Sequence, residues 1–251
     1  MPYKISGSTS ESMRIIVIKE SDWSVESNTI ENDLYEITGL DADKKTIVGI
    51  RADGESSGYG NIAAVRHYTN EDCTDISDWT DNDQGTGVSS QTTFDGRSCF
   101  KFDVGATPGG VARRYKDIGG LGDQVTVELT VNHDAIGVST NGDSFHIAIN
   151  HADVKLNVLF ATDGLFVYDG ATWNEVGTNL VQEDTWQTWI FDCDFSTPAS
   201  AICDIYLNGE LKASDVDCSQ TGSFQDGLIM IDQNSATTAN LITYLDYINI
   251  A

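Results

Sequence analysis

The sequence predicts an all-β, antiparallel protein with almost no helix, and three observations carry that prediction. Apolar and polar residues alternate over long stretches. In QVTVELTVN, Val125, Val127, Leu129 and Val131 fall on one side of an extended chain, and Thr126, Glu128, Thr130 and Asn132 on the other. Almost nothing repeats at the helical period of about 3.6 residues. Between the alternating stretches stand Asp169-Gly170, Asn208-Gly209 and Asp226-Gly227, dipeptides that supply the positive φ of tight hairpins.

Taken in order, the first strands are YKISGS, MRIIVIK, DLYEI, KKTIVGIRA and NIAAV, which fit a small β-sandwich over residues 1–68. A boundary falls in RHYTNEDC, residues 66–73, and a larger domain follows over 73–251. Its strands include QVTVELTVN, SFHIAIN and KLNVLF, then the hairpin pair DGLFVYDGATWNEV, then DTWQTW, CDIYLNGEL and YLDYINI. A chain of 251 residues buries about 70% of its unfolded surface when compact, so core size is not limiting.

Charge excludes some partners. Lys and Arg number 14 against 39 Asp and Glu, a net charge of −25, so a phosphate-rich surface repels the chain. Nucleic acid and anionic membrane are not expected partners. The opening MPYKISGSTS has neither the basic nor the apolar region of a secretory signal, and the longest early apolar run is Ile15-Ile16-Val17-Ile18, so no membrane insertion is expected. The five cysteines show no CxxC pair and no zinc spacing, and they read as small buried hydrophobes. Cys193 and Cys203 flank the turn FSTPASA and would face each other across a hairpin, where a disulfide stays open.

The segment Leu34-Tyr35-Glu36-Ile37-Thr38-Gly39-Leu40, followed by Lys45-Thr46-Ile47-Val48, resembles carboxypeptidase regulatory-like and immunoglobulin-like modules. Within it, ENDLYE places Glu31, Asp33 and Glu36 in the E-x-D-x-x-E spacing of laminarinase-type glycoside hydrolases. Retaining hydrolysis needs two carboxyl groups about 5 Å apart. A module this small offers no long glycan cleft, so these residues read as solvated strand-edge carboxylates.

Asp184-Thr185-Trp186-Gln187-Thr188-Trp189, Cys203 to Leu211 with its Asn208-Gly209 turn, and the closing strand Tyr244 to Ile250 together resemble the concanavalin A-like lectin/glucanase superfamily, in its laminin-G-like form. The resemblance implies a jelly roll of two antiparallel sheets. That superfold hosts lectins, hydrolases, lyases and adhesive domains, so function must come from the site.

Residues 73–251 contain no E-x-D-x-x-E and none of the RxEL, QxH or YFKxG patterns of jelly-roll alginate lyases. A polar row of Glu128, Thr130, His146, Asn150 and Asn157 is expected on one sheet face with Tyr206 nearby. His146 with Tyr206 would serve a lyase on acidic polysaccharides, and a solvated sheet face is the alternative. Phe166, Tyr168 and Trp173 surround one hairpin, and as rings they fit either a sugar platform or sheet packing. Ala112-Arg113-Arg114-Tyr115-Lys116 is a basic cluster suited to an anionic glycan or to neutralising nearby carboxylates. Asp72, Asp75, Asp78, Asp81 and Asp83 are dense, and the resemblance implies a structural calcium between Asp75 and Asp246.

The combination of a small add-on module, a lectin-like domain, strong acidity and no leader resembles bacteriophage virion proteins. The expected function is a non-enzymatic capsid decoration protein, head fibre or tail-fibre component on the virion surface, oligomeric or not. Its expected partners are phage capsid or tail proteins and a host cell-surface glycan, bound through Trp173, Tyr168, Tyr206, His146, Asn157 and Glu128.

Overall fold

A computed structural model describes residues 72–251 with their side chains, Asn141 excepted, and describes residues 3–71 by the backbone course of their strands. The chain divides into two compact units, Met1–His67 and Tyr68–Ile250. In the first, β1 (Tyr3–Lys19), β2 (Val25–Leu40), β3 (Lys45–Arg51) and β4 (Ser56–Ile62) form one sheet in the order β2-β1-β3-β4, and β5 (Val65–Arg66) pairs with β1. The expected short strands YKISGS and MRIIVIK are both parts of the 17-residue β1. The second layer that a sandwich requires is not among the described residues. ENDLYE lies on β2, and the side chains of Glu31, Asp33 and Glu36 lie outside the described residues.

The second unit is a two-sheet antiparallel jelly roll, as the sequence predicts. Its strands are β6 (Thr69–Glu71), β7 (Thr80–Asp81), β8 (Val88–Phe94), β9 (Arg97–Asp103), β10 (Val111–Asp117), β11 (Gln124–Ala135), β12 (Ser144–His151), β13 (Val154–Ala161), β14 (Gly164–Tyr168), β15 (Trp173–Gly177), β16 (Gln187–Asp194), β17 (Ile202–Leu207), β18 (Glu210–Asp217), β19 (Leu228–Asn234) and β20 (Ile242–Ile250). One sheet runs β15-β14-β13-β12-β19-β10-β7; the other runs β18-β17-β16-β11-β20-β9-β8, with β6 also paired to β20. Three single-turn 3-10 segments are the helices of the described residues.

Alternation decides which side chains meet between the sheets. Val125, Val127, Leu129 and Val131 of β11 are buried, as are Phe145, Ile147 and Ile149 of β12 and Trp189 and Phe191 of β16. Their rings pack in a chain: Phe102 meets Phe145 at 5.8 Å, Phe145 meets Phe160 at 5.8 Å, and Phe160 meets Trp189 edge-on at 5.5 Å. Such pairs add about 1 kcal/mol each beyond area burial.

Turn chemistry sets the hairpins. Asn208 and Gly209 both take positive φ, 50° and 80°, which is the two-residue turn whose twist matches that of the flanking strands. The sequence aligns Ile205 with Lys212 across this hairpin. An irregularity between Ile205 and Tyr206 shifts the register, so Ile205 faces Ala213 while Tyr206 faces Leu211. Cys193 and Cys203 stand opposite each other on β16 and β17, as buried thiols with sulfurs 3.2 Å apart. Burial, with Cys203 alongside, pushes the Cys193 thiol well above its ordinary value.

One polar thread crosses the apolar core. Thr243 of β20 donates to Oε1 of Gln233 on β19 in the opposite sheet, at 2.6 Å. Its oxygen is then the acceptor for Nδ1–H of His133, 2.8 Å away, which fixes the neutral tautomer. Burial drives the His133 pKa down to about 3. Between that value and the ordinary 6.5, the unfolded chain takes up a proton that the folded chain refuses. Stability is therefore full above about pH 6.5 and falls as pH drops toward 3. At pH 5 this single group is expected to remove about 2 kcal/mol. Thermal unfolding of wild type and His133→Leu between pH 7.5 and 5 checks this: the variant should lose less stability over that range, and equal losses would refute the assignment.

Candidate functional site

The seven-stranded sheet turns its other face away from the core, and strand register lays a straight row of side chains across it. Arg113 of β10 stands opposite Asp232 of β19, Asp232 opposite His146 of β12, His146 opposite Leu159 of β13, and Leu159 opposite Phe166 of β14. The flanking positions Ile147, Val158, Val167 and Ile231 are fully or almost fully buried in the core, so the row necessarily takes the other face.

Asp232 anchors the polar end. Arg113 grips a single oxygen, Oδ2, through Nε at 2.9 Å and Nη2 at 2.6 Å, and Asn234 Nδ2 donates to the same atom at 3.1 Å. Oδ1 is buried without a protein partner, as is Asn157 Oδ1 on β13. Unpaired buried acceptors are costly and call for a donor from water or ligand. Arg113 also reaches the Tyr115 hydroxyl at 3.4 Å.

His146 is held between this pair and an aromatic wall. Its Nε2 bonds the Ser144 hydroxyl at 2.6 Å, and its ring meets Trp173 edge-on at 5.7 Å. Burial lowers its pKa; Asp232 opposes that shift, while Arg113 and Lys155 add to it. The imidazole is neutral at pH 7. Burial likewise lowers the Lys155 ammonium, again with Asp232 opposing and Arg113 assisting.

Beyond His146 the face becomes apolar and opens into a hollow of about 290 Å³, lined by Ser139, Thr140, Leu159, Phe166 and Trp173. Trp173, 38% exposed, leans on Tyr168 with ring centroids 5.1 Å apart. The turn beneath it is fixed by Asp169, whose carboxylate accepts from the N–H groups of Ala171 and Thr172 and from Asn174 Nδ2. These bonds hold the Asp169 carboxyl well below the usual range. The loop on the other side is fixed at both ends. Asp163 accepts from Ser139 N and Oγ, at 2.9 and 2.5 Å, and Asp143 accepts from the Thr237 and Thr238 hydroxyls at 2.6 and 2.7 Å.

Of the expected binding residues, His146, Asn157, Tyr168 and Trp173 belong to strands of this sheet. Glu128 and Tyr206 do not. Glu128 faces Ile190 on β16, which faces Tyr206 on β17, so both belong to the eight-stranded sheet, with Thr130. The core lies between, so the expected pairing of His146 with Tyr206 does not form. Period two assigns a residue to a face but leaves open which sheet the strand joins. The basic cluster is split in the same way: Arg113 joins the row, whereas Arg114 bonds Ser89 Oγ, Ser89 O and Trp79 O.

The two expected calcium ligands have protein partners in the structure. Asp246 pairs with Arg97 at 2.6 Å, and Asp75 accepts from Ser77 N at the start of a 3-10 turn. Among the described residues no group of three or more His, Cys, Asp or Glu side chains converges as a metal site. Sequence reasoning missed Asp232, Ser139, Thr140 and Leu159. The available signal was LIMIDQN, a strand whose lone charge sits in an apolar run and requires a partner.

No protein-family model and no curated protein sequence matches the chain. Among solved structures, it is similar to an endo-β-1,4-glucuronan lyase from the fungus Trichoderma reesei, with TM-score 0.52 and 10% identity over 74% of this chain and 95% of that one. It is also similar to a carbohydrate esterase from the Shiga toxin-encoding bacteriophage phi24B, with TM-score 0.53 and 12% identity over 74% of this chain and 98% of that one. At such identities the likeness is one of fold alone, the two-sheet antiparallel jelly roll described above.

Asp232→Asn is expected to lower the His146 pKa further, because the carboxylate is the group that favours the imidazolium. Breaking one partner of a buried pair costs about 3–5 kcal/mol. Arg113 keeps a fifth of its side chain in water, so a loss of roughly 2 kcal/mol is expected. A histidine-resolved NMR titration with a denaturant curve measures both, and a raised His146 pKa would contradict the arrangement.

Proposed function

We propose that this protein binds glycans, seating one sugar ring in the hollow beside His146 without turning it over. The observation that supports this reading is the junction, on one sheet face, of an aromatic-walled hollow with a row of polar side chains. Sugar rings present C–H faces to Trp and Phe and hydroxyls to polar groups. A volume of about 290 Å³ lies at the small end of ligand sites and suits a single monosaccharide. Arg113 is already matched by Asp232, so its charge is not spare for a uronate carboxylate.

The finer part of the proposal is display on a bacteriophage virion, as a capsid decoration, head-fibre or tail-fibre component facing a host-surface glycan. It is motivated by the joining of a small β unit to a lectin-like jelly roll in one strongly acidic chain. Many copies on a particle would convert weak single contacts into useful avidity. Presence at fixed stoichiometry in purified particles is the result this part requires.

One observation favours a second reading. A histidine kept neutral, with the Arg113 charge nearby and Arg113 in turn reaching the Tyr115 hydroxyl, is a competent base for eliminative cleavage of an acidic polysaccharide. New unsaturated ends, seen by absorbance on incubation with uronate polymers, would move the assignment there. For binding, Trp173→Ala is expected to weaken a glycan identified on an array at least tenfold, as measured by calorimetry, while leaving the melting temperature within a few degrees of wild type. Undiminished affinity would remove the hollow from consideration.

A further inference from the structure

We infer that the hollow selects a neutral sugar carrying an acetamido group. This rests on the glycan-binding reading and specifies its ligand. The walls Leu159, Phe166 and Trp173 are apolar, and they would receive a methyl group that a bare sugar lacks. The two polar lining residues are matched to an amide. Ser139 Oγ gives its only proton to Asp163 Oδ2, at 2.5 Å, so toward the hollow its oxygen can only accept. An amide N–H is the complement. Thr140 is exposed and its hydroxyl has no hydrogen-bond partner among the described residues, so it can donate to the amide carbonyl.

A carboxylate-bearing sugar fits worse than a neutral one. Ser139 offers it no proton, Asp163 stands directly behind Ser139, and the whole chain carries a charge of −25. A free amino sugar would lack the methyl and the carbonyl. The class that uses every lining group is the neutral 2-acetamido hexose.

The test is calorimetric or NMR titration of the full chain with N-acetylglucosamine and N-acetylgalactosamine, against glucose, galactose and glucosamine. At least one acetamido sugar should bind tenfold or more tightly than its parent hexose and its free amine. Ser139→Ala should lower that preference at least fivefold, read as the ratio of acetamido-sugar to parent-hexose affinity. Because Ser139 also ties its loop to Asp163, Leu159→Trp, which fills the hollow from a sheet strand, provides a second variant; it should abolish acetamido binding. Binding of sugars at Trp173 with no acetamido preference overturns this inference and leaves the glycan reading standing. Failure to bind any sugar on a broad array overturns both.

Discussion

Each central strand of the jelly roll commits one of its two faces to a shared aromatic core, and that commitment fixes everything outside it. Phe145, Ile147 and Ile149 must point toward Phe160, Trp189 and Phe191. Given that, His146 has one face left, and pairing with Asp232 and Leu159 follows from register alone. A one-residue slip of β12 would bury the imidazole and expose a phenyl ring. The cross-sheet bond from Thr243 to Gln233 opposes the same slip in β19 or β20, because a shifted register would leave those buried polar atoms unpaired. The row on the outer face is therefore as well determined as the core.

Much of this fold was legible in the sequence, for reasons that also mark where reading stopped. The alternation in β11 is unambiguous because Val and Leu strictly exchange with Thr and Glu, and the Asn208-Gly209 hairpin is marked by residues that tolerate positive φ. Phe166 and Tyr168, two residues apart, share one side of β14 by the same logic. What alternation does not encode is sheet membership. β11 and β12 are consecutive in sequence yet lie in different sheets, which separates Glu128 from His146. The first unit, where short strands were expected, instead has β1 and β2 running as long partners, because no strong breaker stands between YKISGS and MRIIVIK.

Asp232 illustrates a charge whose meaning comes from long-range pairing. Its partner Arg113 is 119 residues away in sequence, and only the adjacency of β10 and β19 brings them together. The same carboxylate is the electrostatic reference for His146 and Lys155. Asp246 tells the converse story. An aspartate in the last strand reads as a metal ligand, yet Arg97 supplies the positive charge directly.

The outward positions of the seven-stranded sheet also set the terms on which this surface can evolve. Trp173 sits on the terminal strand of its sheet and is partly solvated, so exchanging it disturbs no layer of the core. Thr140 is equally peripheral. The rim of the hollow is thus open to change by single steps. Arg113 and Asp232 are different, because losing either leaves the other's charge without its partner, which makes single exchanges at that end of the row costly. One face thereby combines a rim that tolerates single exchanges with a centre that resists them.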